Sequence, residues 1–333
     1  MTRCALPTFL DVLAARQRIA PYLRPTPLFS YPALNALIGT KVFVKHENCQ
    51  PVGAFKVRGG INLVSQMSAE ERQHGLIAAS TGNHGQSIAY AGRLFGVQVR
   101  IVVPEGANSG KVAAMQGMGA SVIFQGTRFE DAVEHCEALA RENGYRYVHS
   151  ANEPLLVAGV GTHTLEILLQ QPDIEVVIVP LGMGSGAAGA CIAAHGINPA
   201  VRVIAVQSQA SPAGYESWKK QALVTAANNT FAEGMATGSA AELTQEIVQR
   251  HLHDFVLVSD DEIRNAMVWM IERAHTLAEG AGAAPLAAAY RMREALQGKQ
   301  VALICSGGNS SLEHLRQALA HNCMQVLSSS DRL

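Results

Sequence analysis

Val176-Val-Ile-Val-Pro-Leu-Gly-Met-Gly-Ser-Gly-Ala-Ala-Gly189 has the form of a strand, a glycine turn and the start of a helix. Its first residues are continuously apolar rather than alternating. A strand needs that pattern when helices cover both faces of its sheet, as in parallel α/β architectures. The stretch from Val176 to Ala194 carries no charge and is long enough to cross a bilayer. Pro180 and the glycines at 182, 184, 186 and 189 break it in the middle. A strand, a loop and a helix buried inside a protein keep those backbone groups paired, so this is the reading adopted.

The same alternation extends in both directions. Apolar strands are expected at Val42–Lys45, Leu76–Ala79, Val97–Val103, Ala120–Phe124, Tyr145–Val148, Val201–Val206 and Val301–Ile304. Helical segments are expected near Gly85–Phe95, Lys111–Met118, Phe129–Asn143, Thr162–Gln170, Ala187–His195, Asp260–Ala274 and Ala284–Leu296. This gives two α/β lobes with a cleft between them, where a ligand is expected. The tail from Ser328 is expected to fray.

The glycine turn has two chemical readings. Gly184, Gly186 and Gly189 match G-x-G-x-x-G, the loop of a dinucleotide-binding dehydrogenase. That reading requires an acidic residue at the end of the next strand to hold a ribose. Gln207 and Ser208 stand there, so it is disfavoured. The other reading keeps only the physics. Converging backbone N–H groups and a helix N-terminus bind a phosphate without Lys or Arg. A turn that merely packs a helix on a sheet is the plain alternative.

Bulk properties exclude several functions. The 333 residues are 48% hydrophobic and 16% charged, enough for a substantial core. A net charge of −1 leaves no electrostatic footprint for nucleic acid or an anionic membrane. The cysteines at 4, 49, 136, 191, 305 and 323 have no CxxC or zinc spacing, and are expected to be buried, reduced thiols of a cytoplasmic protein. The N-terminus carries Asp11 and several arginines and does not read as a signal peptide.

Lys45-His-Glu-Asn-Cys-Gln-Pro-Val-Gly-Ala-Phe-Lys-Val-Arg-Gly-Gly60 begins at a strand end and places Lys56 between Phe55 and Val57. Desolvation in such a setting favours a neutral, nucleophilic amine. The segment resembles the K-x-E-x-x-Q-x-x-G-[SA]-F-K-x-R-G pattern of the fold-type II pyridoxal-phosphate enzymes of the serine/threonine dehydratase family. Four further stretches resemble that family in order: Arg24-Pro-Thr-Pro-Leu28, Ala79-Ser-Thr-Gly-Asn-His-Gly-Gln86, Ala278-Glu-Gly-Ala-Gly282 and Ser306-Gly-Gly-Asn309. Leu181–Gly186 sits where the phosphate loop belongs.

The resemblance implies a fold like the tryptophan synthase β subunit. Two open, twisted, mainly parallel sheets are covered by helices, with the active site in a cleft between a large domain (1–65 and 153–323) and a small one (66–152), followed by a tail (324–333). It implies pyridoxal 5'-phosphate bound to Lys56, with Phe55 against its ring, Asn83 at its ring hydroxyl and Ser306 at its ring nitrogen. Gly182, Met183, Gly184, Ser185 and Gly186 hold the phosphate, and Glu279 lies near the ring. Ser80, Thr81, Gly82, Asn83 and His84 surround the substrate carboxylate, largely through backbone N–H groups. Lys56 acts as general base.

The implied reaction is α,β-elimination from a β-hydroxy amino acid of the L-threonine or L-serine type, giving a 2-oxo acid and ammonia. A bulkier or acidic β-hydroxy amino acid (phenylserine, 3-hydroxyaspartate) and racemisation through Thr81 stay open as alternatives, as does a dehydratase-like protein of ectoine breakdown. The segment His149–Pro154 differs from the common threonine dehydratase form, which points to altered substrate choice. Cysteine synthase-like replacement fits less well, because Asn83-His84-Gly85 stands where those enzymes carry N-T-G. Relatives activated by a divalent cation carry a carboxylate where Gln207 stands, so no metal site of that kind is expected. A homodimer or homotetramer is implied, with no regulatory domain after Ser311.

Overall fold

The computed structural model describes residues 5–330, with the side chains described from 5 to 322. Among the described residues ten strands form two sheets. They are β1 (Leu28–Ser30), β2 (Lys41–His46), β3 (Leu76–Ala79), β4 (Val99–Val103), β5 (Ser121–Phe124), β6 (Arg146–Tyr147), β7 (Val176–Pro180), β8 (Arg202–Ser208), β9 (Asp254–Val258) and β10 (Gln300–Cys305). The larger sheet has the order β1-β2-β10-β7-β8-β9, and the smaller one β5-β4-β3-β6. Every pairing is parallel except the edge strand β1 on β2.

The continuous apolar runs follow from burial on both faces. In the large sheet Val42, Val44, Val176, Ile178, Ile204 and Val206 enter one core with the helices Asp260–Ala274 and Gly280–Arg291. Their neighbours Phe43, Val177, Val179, Val203 and Ala205 enter another, with the helices Pro154–Gln170, Ser185–Ile197 and Glu242–His251. The period of two divides each strand between the two layers. In the small sheet Leu76, Ala78 and Ile101 pack toward the helices Val57–Val64 and Asn83–Phe95. Ile77, Ala79 and Val102 face Phe129–Asn143. Val176–Ala194 is therefore β7, a turn and most of a buried helix. Among the described residues no helix is long and apolar enough to cross a membrane.

Some expectations need correction. Helix Pro154–Gln170 begins eight residues before the expected Thr162, because Glu153 caps it and Pro154 occupies its first turn. Helix Gly280–Arg291 is shifted toward the N-terminus, with Pro285 inside it. The last helix, Leu312–Ser330, runs through the stretch from Ser328 expected to fray, and 331–333 lie outside the described residues. Cys136, Cys191 and Cys305 are buried, but Cys49 is exposed. Cys4 and the side chain of Cys323 lie outside the described residues.

Candidate active site

Strand ends concentrate the loops. β2 leads toward Lys56, β3 ends just before Ser80, β7 just before Leu181 and β10 just before Ser306. These are carboxyl ends of parallel strands, where open α/β sheets bind ligands. The loops line one cleft of about 900 Å³, counted out to its open mouth. Phe55, Lys56, Ser80, Thr81, Gly82, Asn83, His84, Gly182, Met183, Gly184, Ser185, Gly186, Glu279 and Ser306 all line it. The space suits a cofactor together with a small substrate.

Lys56 immediately precedes helix Val57–Val64. Its Nζ donates to Ser185 Oγ at 2.7 Å and to the Ser150 carbonyl at 3.2 Å. Both acceptors are neutral. Although the side chain borders the cleft, desolvation dominates and lowers the amine to about 8.

The segment before Lys56 is held by a buried ionic network, and this explains the rest of the lysine motif. Arg58 makes a two-pronged contact with Glu47 (Nε–Oε2 2.7 Å, Nη2–Oε1 2.8 Å) and another with Glu166 (Nη1–Oε1 2.7 Å, Nη2–Oε2 2.8 Å). Lys45 Nζ joins Glu166 Oε2 at 2.6 Å and the Thr26 carbonyl at 2.8 Å. Thr26 donates its hydroxyl to Glu47, and Gln50 its amide. Burial pushes Glu47 up, but Arg58, aided by His163 and Lys45, outweighs it and holds the carboxyl at about 2. The motif residues Lys45, Glu47, Gln50 and Arg58 thus brace the strand and turn from which Lys56 projects. Glu166, on a distant helix, was not legible in the sequence.

Opposite Lys56, the turn after β7 leads into helix Ser185–Ile197 with no side-chain cap. Gly184 has φ +95°, and a Cβ there would stand 2.8 Å from Thr244 Oγ1. Thr244 in turn donates to the Met183 carbonyl at 2.7 Å, fixing the turn from a helix that no motif marked. A Cβ on Gly186 would meet the Phe55 ring at 3.2 Å. The first N–H groups of this helix face the cleft, where an anion would be held without a side-chain cation.

The third wall comes from the small sheet. Ser80 Oγ accepts from the N–H groups of Gly82 and Gly85, at 3.3 and 2.9 Å. The Ser80 hydroxyl is therefore spent on bracing its own loop. His84 Nε2 lies 3.1 Å from the Val148 carbonyl, and burial pushes its ring down to about 3, which keeps it neutral. Asn83 Nδ2 donates to Glu279 Oε1 at 2.7 Å, and Asn83 Oδ1 accepts from Asn309 Nδ2 at the same distance. Burial raises the Glu279 carboxyl, opposed by Lys111 and by the Asn83 bond. The Phe55 N–H donates to the Ser306 carbonyl at 2.9 Å, tying the lysine segment to the loop after β10.

The cleft also contains residues that sequence reasoning missed. Lys111 and Phe129 line it from the side of the small sheet, and Glu233 and Thr237 from the other. Lys111 pairs with Glu233. No motif or spacing joins positions so far apart. In the segment His149–Pro154, only Ser150 lines the cleft, while Glu153 pairs with Arg146. Gln207 is buried, and its Oε1 accepts the Tyr215 N–H at 3.1 Å in the first turn of helix Ala213–Lys220. Among the described residues, no group of three or more His, Cys, Asp or Glu is placed to hold a metal ion.

Comparison with known proteins accords with this geometry. A family model described as pyridoxal-phosphate dependent enzyme matches residues 19–307. The chain is 38% identical over 317 residues to the catabolic L-threonine dehydratase of Staphylococcus aureus, covering 93% of this chain and 91% of that one. Its structure resembles the serine racemase of Dictyostelium discoideum (TM-score 0.88, 32% identity, 92% of this chain and 100% of that one). It also resembles the processed threonine deaminase isoform 2 of Solanum lycopersicum (TM-score 0.89, 29% identity, 94% of this chain and 91% of that one). The chain belongs to the pyridoxal-phosphate dependent enzymes of fold type II, and pyridoxal 5'-phosphate is its cofactor.

Proposed function

We propose that the chain is an ammonia-lyase that removes water from a β-hydroxy amino acid of the L-threonine or L-serine type, leaving a 2-oxo acid and ammonia. The observation that carries this reading is the Lys56 amine. It is desolvated, lowered to about 8 and hydrogen-bonded to the neutral acceptors Ser185 Oγ and Ser150 O. The cleft fits the cofactor on its own donor set. Lys56 would take the aldehyde, Phe55 would pack beside the ring, and the Gly182–Gly186 turn with its uncapped helix would take the phosphate, all of them residues that line the cleft. Asn83 would hold the ring hydroxyl, with Glu279, its hydrogen-bond partner, near the ring, and Ser306 would meet the ring nitrogen.

Bound pyridoxal phosphate supplies the electron sink for charge developing at Cα. The protein does the rest. Lys56 Nζ takes the Cα proton as general base, near enough to neutrality to be partly unprotonated. The backbone of the Ser80–His84 loop orients the substrate carboxylate. Ser306 offers a neutral hydroxyl where a carboxylate would stabilise a longer-lived negative charge, so prompt loss of the β-hydroxyl is favoured over transamination. The enamine released takes up water, giving the 2-oxo acid and ammonia. Incubation with a panel of L- and D-threonine, serine, phenylserine and 3-hydroxyaspartate, followed by assay of the 2-oxo acid, tests the reading. Product from threonine or serine supports it, and no product from any of them removes it.

Racemisation is a second reading, favoured by Thr81, which lines the same cleft as Lys56. The Thr81→Ala enzyme is expected to lose any interconversion of L- and D-serine while retaining elimination; chiral chromatography of recovered substrate checks this. Elimination lost to the same extent would assign Thr81 to the main reaction instead.

Gln207 supplies an amide in place of a carboxylate and uses it to hold a helix turn. Chelator treatment is therefore expected to leave the rate unchanged, and a rate lost and then restored by magnesium would contradict this. The two sheets support a large domain of 1–65 and 153–323 and a small one of 66–152, with the cleft between them. Limited proteolysis cutting first near 66 or 152 would agree with that division.

A further inference from the structure

Lys111, in helix Ser109–Gly117, follows β4 of the small sheet. Glu233, in the short turn Glu233–Met235, follows β8 of the large one. Their side chains meet across the cleft mouth. The partners differ in exposure: the Lys111 side chain is 10% exposed and Glu233 41%. The turn also covers Glu279. A Cβ on Gly234 would stand 2.7 Å from Ala281 Cβ and 3.8 Å from Glu279 Oε1. Thus one short segment of the large-sheet side both receives Lys111 and roofs the carboxyl that accepts from Asn83.

We infer that Lys111 and Glu233 are positioning residues whose contact closes the cleft and couples that closure to the charge of Glu279. The inference rests on the proposed elimination and extends it to residues without a role there. With the cleft closed, the Lys111 ammonium favours the Glu279 anion, which holds the Asn83 amide by its Nδ2. When the small-sheet side swings away, Lys111 leaves, and buried Glu279 takes up a proton. The Asn83 bond then loses its charged acceptor. The groups facing Glu279 act in both senses: burial raises its carboxyl, Lys111 and Asn83 lower it, and Glu233 raises it. Cys305 lies behind it as a thiol that burial keeps protonated, while Lys56 and neutral His84 share the cleft.

The two partners therefore make separable predictions. Lys111→Met and Glu233→Gln both break the closing contact, so both raise KM by about 2- to 5-fold, the range of a partly exposed ion pair. Both move the acid limb of the kcat–pH profile up, because in both Lys111 no longer stands by Glu279, and less in Glu233→Gln, where the raising anion is also gone. Lys111→Arg restores the wild-type limb.

The apo-protein supplies a readout independent of turnover. Amide exchange across 109–117 and 233–235 rises in both variants. The infrared band of the protonated Glu279 carboxyl, assigned by its absence from Lys111→Met/Glu279→Gln, persists to higher pH in Lys111→Met than in the wild type. A limb that stays fixed or moves down in either variant, or exchange unchanged in both, overturns the inference. A wild-type protein that yields no 2-oxo acid defeats the proposed elimination instead, and the exchange and infrared results then decide the coupling alone. Glu233→Gln alters a half-exposed side chain and keeps the test open if Lys111→Met does not fold.

Discussion

Replacing Lys56 with methionine is expected to lower turnover by at least about 10³-fold, because general-base catalysis and covalent attachment are lost together. The same change is expected to make the apo-protein more stable near neutral pH. Desolvation lowers the Lys56 amine from 10.5 to about 8 in the folded chain. Below pH 8 both folded and unfolded chains carry the proton, and the cost of holding the buried ammonium is fully present. Between about 8 and 10.5 the unfolded chain binds more protons than the folded one, so wild-type stability rises with pH. The advantage of Lys56→Met is thus largest below pH 8 and fades toward 10.5. Thermal melts of the two apo-proteins across that range check it. A Lys56→Met enzyme with wild-type turnover would refute the role of Lys56.

The largest stability effect is expected at Arg58. Its guanidinium is 1% exposed and lies between two carboxylates, Glu47 and Glu166. Arg58→Met leaves both facing Lys45 alone, and removing one member of a buried ionic group typically costs about 3–5 kcal/mol. Urea unfolding measures it. Acid dependence gives a second signature. In the wild type Glu47 is held at about 2, below the ordinary 4.5 of its carboxyl. That contribution is present above pH 4.5 and is lost as pH falls toward 2. Without Arg58, burial dominates and Glu47 takes a proton more readily. The gap between wild type and variant should therefore narrow in acid. A cost below about 1 kcal/mol, the level of an exposed pair, would show that the network does not brace the lysine segment.

Local signals made much of the fold legible. Helix Phe129–Asn143 was read to its ends, closed by left-handed Gly144. Helix Asp260–Ala274 was read equally well, opened by a Ser259–Glu262 capping box. The inner strands of the large sheet and all those of the small one were found from their apolar runs, because burial on both faces imposes those runs, while the edge strands β1 and β9 were not. Helix Val57–Val64 escaped, since Gly59 and Gly60 oppose helix formation. Tertiary packing imposes it there: a Cβ on Gly59 would lie 3.0 Å from the Leu156 carbonyl. Helix Phe9–Ile19 carries a Thr8–Asp11 capping box that went unread.

The site residues proposed from the ordered motifs converge on one cleft, but Lys111, Phe129, Glu233 and Thr237, which also line it, and Thr244, which braces its glycine turn, do not belong to any motif. They are brought there by strand order and loop packing, which one-dimensional spacing does not encode. Lys45, Glu47 and Arg58 were visible as a pattern, yet their service to a buried network emerged only with Glu166 in place.

The central claim is that the Lys56 amine holds the cofactor. Borohydride treatment of the yellow holoenzyme, followed by proteolysis and mass mapping, tests it most directly. The account predicts the reduced cofactor on the peptide containing Phe55-Lys56-Val57 and on no other. Label on a different lysine, with Lys56 unmodified, would contradict it.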